Sequence, residues 1–251
     1  MKKLFILVGM ILASISSPAM AIGDFDIKKL TAEQQDAFRA LSEDLSSLVS
    51  YKALTPAEPL GGGLTLIGFD VGVEVTATTP DKDEVWGKDV VDDGDISVLL
   101  LPKVHAHLGF PFGIDVGAVY ATLPGSNLKY MGGEVRYSFV SGNTLVPAIS
   151  LRGAFTTVSG IDELSFNTKS VELSISKGFL MLTPYAGVGQ VWTTSDPSVE
   201  VSGTNILDKE EFNKTKLFVG VNFNLGLLNI AVEGDKTGDA TSYSGKLGFR
   251  F

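Results

Sequence analysis

Cysteine is absent from the sequence, which excludes a disulfide framework, a thiolate metal site and a lipid-modified N-terminal cysteine. Histidine is scarce: His105 and His107 are the only two, in the stretch KVHAHLGF. Two imidazoles fall short of the three or four convergent ligands that a metal centre takes, and Lys103 beside them opposes a cation. Basic residues are in deficit, 20 against 29 acidic ones, which argues against nucleic acid as a partner. Beyond residue 22 no stretch reaches the roughly 20 consecutive apolar residues that a membrane-crossing helix requires. Fixed-period repeats and low-complexity tracts are also lacking.

What is present begins with MKKLFILVGMILASISSPAMA. Lys2 and Lys3 lead an apolar run from Leu4 to Ile15, and Ala19-Met20-Ala21 forms a small-x-small cleavage signature. The pattern predicts a secretory signal peptide over 1–21, with the mature chain starting at Ile22. Loss of the two lysines takes the formal charge from −9 to −11.

Residues 22–62 hold a helix pattern. In LTAEQQDAFRALSEDLSSLVSYKAL (30–54), Thr31 stands as N-cap with Gln34 three residues on. Phe38, Leu41, Leu45 and Leu48 then share one face, and Pro56 and Pro59 follow as breakers. An amphipathic helix about 30 Å long is expected here.

From residue 63 to 251 the periodicity changes to two. Ile67, Phe69, Val71, Val73, Val75 and Ala77 alternate with Gly68, Asp70, Gly72, Glu74 and Thr76. Ten such runs can be marked, at roughly 64–78, 96–110, 114–123, 128–140, 144–158, 166–177, 182–193, 212–224, 228–234 and 241–251. The connections after the second, fourth, sixth and eighth are tight, and most of the others are longer and polar, notably 81–95 and 195–211. The fold class predicted is all-β: a transmembrane antiparallel up-and-down β-barrel of about ten strands, with eight to twelve open because 197–208 could form a further hairpin. A soluble β-sandwich would also alternate, but asymmetric loops and long glycine-rich strands suit it less. In lipid every backbone N–H and C=O must find a partner within the protein, so a sheet spans only when closed on itself. An even strand number places both chain ends on the periplasmic side.

The terminal TSYSGKLGFRF, with Tyr243, Leu247, Phe249 and Phe251 at alternating positions, resembles the C-terminal assembly signal of Gram-negative outer-membrane barrels. That resemblance implies location in the outer membrane, contact with its lipid and lipopolysaccharide, and recognition by the barrel-assembly machinery. It names no substrate.

If the apolar face meets lipid, the other face lines the lumen. That assigns Asp70, Glu74, Asp115, Glu134, Glu172 and Glu233 to the interior, with Lys103, Arg136, Arg152, Lys216, Lys246, Arg250, His105 and His107. The signs balance, which suits an internal ion-pair network or a weakly selective channel better than a ring of one charge. Inward positions are also often small, among them Gly72, Gly117, Gly132, Gly187, Gly189, Gly220 and Gly248, leaving room for water, a ligand or a plug. The helix has three places open to it: inside the lumen, across the periplasmic mouth, or flat in the membrane interface. Asp92, Asp93 and Asp95 lack EF-hand spacing, and Trp86, Trp192 and Tyr120 suit an interfacial aromatic girdle. No nucleophile motif, cofactor site or metal site is expected, so the chain is not expected to be an enzyme. The expected role is passive passage of a small solute through a narrow, helix-occluded channel. The alternative is a closed structural or surface-interaction barrel acting through its extracellular loops.

Overall fold

The structure is a computed structural model and describes residues 34–61, 67–79, 98–122, 128–160, 163–201 and 204–251. The expected signal peptide over 1–21, Thr31, Trp86 and the acidic segment 81–95 lie outside the described residues.

Among the described residues one α-helix, α1 (Gln35–Val49), precedes twelve strands: β1 (Gly68–Thr79), β2 (Leu99–Phe110), β3 (Ile114–Thr122), β4 (Lys129–Val140), β5 (Ala148–Ser159), β6 (Leu164–Ser176), β7 (Leu182–Pro197), β8 (Glu200–Val201), β9 (Thr204–Asn205), β10 (Glu210–Leu225), β11 (Leu228–Thr237) and β12 (Ala240–Arg250). Ten of the strands close into a barrel, in the order β1-β12-β11-β10-β7-β6-β5-β4-β3-β2. The short β8 and β9 pair only with each other, so the extra hairpin in the 197–208 region stays out of the wall. Closure comes from β1 against β12, in register from Asp70↔Arg250 to Thr79↔Thr241. The terminal Phe251 and Phe69 exchange both backbone hydrogen bonds, so pairing continues to the last residue. Closure leaves no strand edge within the barrel wall to be satisfied by water.

Two-residue periodicity sorts the side chains by face. Along β2 every second residue from Leu99 to Gly109 is buried and the residues between point outward. The outer surface is apolar: Val71, Val73, Val104, Leu108, Val135, Leu151, Val171, Leu173, Val188, Leu217 and Val219 are all exposed. Aromatic rings gather on this surface at the short-turn end, where Phe69, Phe110, Phe112, Tyr137, Phe139, Phe179, Phe249 and Phe251 are exposed. Phe112, at the tip of the β2–β3 turn, is 91% exposed. Trp192 and Tyr120 face outward nearer the other end. An apolar band flanked by aromatics is the surface that a bilayer matches. Among the described residues no helix is long and apolar enough to cross a membrane. The chain is a transmembrane β-barrel of the outer-membrane type, and that fold places it in the outer membrane.

Several expectations need correction. The helix ends at Val49 rather than continuing to 54, because Ser50 turns extended (φ −56°, ψ 142°) and residues 51–61 run on without helical bonds. Its length is therefore about 22 Å at the usual rise. Gln34 is the flanking residue at its start, and its side chain makes no capping hydrogen bond; Thr31, the expected cap, lies outside the described residues. The loop asymmetry is also narrower than predicted. Residues 80–98 and 198–209 make long connections, but Gly238 and Asp239 alone join β11 to β12, with Gly238 at φ +62°.

Candidate functional site

The lumen is occupied by the chain itself. Helix α1 lies in its upper half, at the end carrying the two long connections, and residues 50–61 descend through the lower half to meet β1. The walls differ from side to side. In the upper half β2 to β6 present Leu99, Leu101, Val119, Ala121, Tyr130, Val158, Leu164 and Phe166, all buried. These residues form one apolar cluster with Phe38, Leu41, Leu45, Leu48, Val49 and Tyr51 of the N-terminal segment. Next to β6 the wall changes character, and β7 presents hydroxyls instead. Ser42 Oγ lies 2.9 Å from Ser195 Oγ, and Ser46 Oγ lies 2.6 Å from Thr193 Oγ1. Spacing of four on a helix matches spacing of two on a strand, so both contacts form together. The helix thus turns its apolar stripe to an apolar wall and its serine face to a polar one.

The lower lumen carries charge. Asp70 accepts from Lys246 Nζ at 2.8 Å and Arg250 Nη2 at 2.7 Å through one oxygen, and its other oxygen lies 3.1 Å from His105 Nε2. His105 Nδ1 stands 3.1 Å from Glu74, which also pairs with Lys103 at 3.1 Å. His107 Nε2 meets the Tyr51 hydroxyl at 3.2 Å and Glu134 at 3.5 Å. Arg152 bridges Glu134 at 2.7 Å and Glu172 at 2.8 Å, and donates to Thr55 Oγ1 at 3.2 Å. Lys216 donates to Glu172 at 2.8 Å and to the Tyr51 carbonyl at 2.7 Å. Glu233 is buried opposite Gly220 and Ser244.

Arg136 ties this network to the N-terminal segment most tightly. Its guanidinium donates to Asp115 through Nε at 3.0 Å, to Thr55 Oγ1 at 2.9 Å, to the Glu58 carbonyl at 3.2 Å and to the Pro56 carbonyl. Ser138 Oγ donates to the Ala57 carbonyl at 2.7 Å, and the Leu60 amide donates to Asp115 at 3.1 Å. An irregular chain inside a barrel must place its backbone groups somewhere, and here Arg136, Ser138, Asp115 and Lys216 receive them.

All fourteen residues assigned to the lumen from the sequence lie on inward faces, thirteen fully buried and Arg250 partly so at the lower rim. The same reading missed Tyr51 and Lys52, whose ammonium donates to the Ser47 carbonyl at 2.6 Å and lies 3.5 Å from Asp235. Asp235 lies one residue beyond the run 228–234 marked by alternation, because the strand continues to Thr237. Ser42 and Ser46 carried a signal in their spacing of four, but a serine pair on a helix commonly faces water.

The small inward positions are filled by neighbours rather than left open. A Cβ on Gly117 would sit 2.0 Å from His107 Cδ2, and one on Gly187 would sit 2.2 Å from Phe218 Cζ. Gly220 is likewise covered by Tyr185, its cross-strand partner. Asp70, His105 and His107 bring potential metal-ligating atoms within 4.8 Å of one another, one more ligand than was expected. Lys246 and Arg250 already hold Asp70, however, and Lys103 holds Glu74 beside it, so the surroundings are those of an ion-pair network.

No family model and no curated protein matches the sequence. Among solved structures it is similar to a loop-deletion form of OmpT, an outer membrane protein of Vibrio cholerae, at 12% identity over 61% of this chain and a TM-score of 0.32. The chain spans about half of that protein, 54%. Similarity to OprG from Pseudomonas aeruginosa covers 78% of this chain and 99% of that one, at 13% identity and a TM-score of 0.36. The translocator domain of autotransporter NalP from Neisseria meningitidis matches over 88% of this chain and 96% of that one, at 10% identity and 0.35. The assignment to the outer-membrane barrel class rests on the strand register and the two faces described above, not on these likenesses.

Proposed function

We propose that the protein is a closed outer-membrane barrel, in which the N-terminal segment serves as the core of the fold and the long-loop end carries the interactions with the outside. The observation that supports this reading is the apolar contact between α1 and the upper wall. Full burial of Phe38, Leu41, Leu45, Leu48 and Val49 contributes about 1.5–3 kcal/mol each, roughly 8–15 kcal/mol together. Withdrawing the helix into water would forfeit that sum and wet the wall residues facing it. Since each 1.4 kcal/mol is tenfold, even the lower figure leaves an open form at roughly one molecule in a million. Contacts with lipid and lipopolysaccharide, and recognition of the Tyr243–Phe251 strand by assembly machinery, belong to the same proposal.

Passage of a small solute past a movable segment, the role expected first from sequence, is the second reading. The charged lower lumen favours it, since walls carrying Glu134, Arg152, Glu172 and Lys216 would hold water if residues 50–60 moved aside.

One experiment separates the two. Ser42→Cys and Ser195→Cys, introduced together, lock α1 to β7 when oxidised. Planar-bilayer recordings are then made of the folded protein with the disulfide formed and reduced. The closed-barrel reading expects no step conductance in either state. Steps seen on reduction and abolished on oxidation would establish the gated channel instead.

A further inference from the structure

The course of the chain through the barrel reverses one expectation drawn from strand number. An even count does place the start of β1 and the end of β12 at the same, short-turn end, where Phe69 and Phe251 exchange backbone bonds. The segment leading into β1 does not begin there. Leu60 and Glu58 lie at the level of Asp115 and Arg136, close to the β2–β3 turn. Tyr51 lies midway, at His107 and Lys216. Ser46 and Ser42 reach Thr193 and Ser195 near the top of β7. Gln35 finally bonds the Asp208 carbonyl at 3.1 Å and Glu210 at 2.6 Å, at the entrance to β10, and donor and acceptor are reciprocated by the Asp208 amide on Gln35 Oε1. Each step back in sequence is a step toward the long-loop end.

Barrels of this class keep short turns in the periplasm and long loops outside. From this geometry we infer that the N-terminal end of α1 is a cell-surface element. The polypeptide runs inward from the extracellular mouth, fills the lumen, and enters the barrel wall at the periplasmic rim. The two longest links between neighbouring wall strands, 80–98 and 198–209, join strand ends at the end where α1 starts.

The mouth is built to hold that end. Arg39 pairs with Glu43 at 3.3 Å and with Glu210 at 2.9 Å, and Lys214 pairs with Glu43 at 2.9 Å. Both cations stand about 6 Å from the centre of the Phe212 ring. Arg39 remains 49% exposed and Asp36 is exposed, so the first turns present charge to solvent while Phe38, between them, is fully buried. A surface of this kind suits a water-facing mouth, and the loop lengths say which mouth it is. The inference is independent of whether the lumen opens, since it concerns only which side α1 starts from.

The absence of cysteine makes the test direct. Single-cysteine variants Asp36→Cys, Asp239→Cys and Leu145→Cys are probed with a membrane-impermeant maleimide on intact and on permeabilised cells. Asp239 marks the β11–β12 turn at the long-loop end, and Leu145 the β4–β5 turn at the opposite end. Expected is labelling of Asp36→Cys and Asp239→Cys on intact cells at least tenfold above Leu145→Cys, with all three equal after permeabilisation. Labelling of Asp36→Cys only after permeabilisation, while Asp239→Cys labels on intact cells, would overturn the inference. So would an inverted barrel, with Leu145→Cys bright and Asp239→Cys dark, or an Asp36→Cys that stays dark in both preparations. Heat-modifiable gel mobility verifies folding of each variant, and Arg39→Cys takes the place of any Asp36→Cys protein that fails to fold.

Discussion

Arg136 offers the sharpest test of how the N-terminal segment is held. Its side chain is fully buried and spans the wall and the segment, donating to Asp115 on β3 and to Thr55, Pro56 and Glu58. Replacing it with methionine keeps most of the length and removes the charge. Asp115, also fully buried, then keeps, among the described residues, only the Leu60 amide as a partner, and two carbonyls lose their donor. Breaking a buried pair from one side costs about 3–5 kcal/mol. Asp115→Asn should also be costly, because it leaves the guanidinium without its counter-charge. The double variant removes both charges and should cost less than the sum, by about 1–3 kcal/mol of coupling. The assay is equilibrium unfolding in lipid vesicles, followed by tryptophan fluorescence and heat-modifiable mobility, for all four members of the cycle. Additivity within about 0.5 kcal/mol, or an Arg136→Met loss below about 1 kcal/mol, would refute the claim that this contact anchors the segment.

The other consequences concern packing. Phe38→Ala should cost about 3–5 kcal/mol, like a large-to-small change in any protein core, whereas a loosely seated helix would give under 1; the same unfolding assay decides. Gly117→Ala should destabilise by about 1–3 kcal/mol, since the added methyl meets His107. Its control is Gly153→Ala on the outer face, where nothing lies within 4 Å and a change beyond about 0.5 kcal/mol would contradict the packing described.

How far the sequence reveals this molecule follows from where its physical constraints are local. Alternation is local, so β1 and β12 could be placed to within a few residues, and the inward set from Asp70 to Arg250 followed from the face opposite the apolar one. The terminal Phe251 was legible for the same reason. Helix α1 was visible as a stripe of Phe38, Leu41, Leu45 and Leu48, but its end was not. Tyr51, Lys52 and Ala53 could continue a helix by propensity, and only the lumen extends them, through Lys216 on the Tyr51 carbonyl and Lys52 folded back on Ser47. The two-sided wall was equally hidden, because alternation gives the inward face of each strand but not which part of that face α1, far away in sequence, will cover. Direction through the lumen was the largest omission. Strand count fixes where β1 starts, but not whether the chain before it comes from within the barrel.

In the closed barrel proposed above, α1 belongs to the core of the fold rather than resting in it. Hydrogen–deuterium exchange of the folded protein in lipid vesicles measures this directly. Amides of Phe38–Val49 should be protected to within about tenfold of those in the centres of β5 and β6, because the helix and the wall open together. Exchange of the helix faster by several orders of magnitude, with the strands still protected, would show a segment that leaves the lumen freely and would contradict the account.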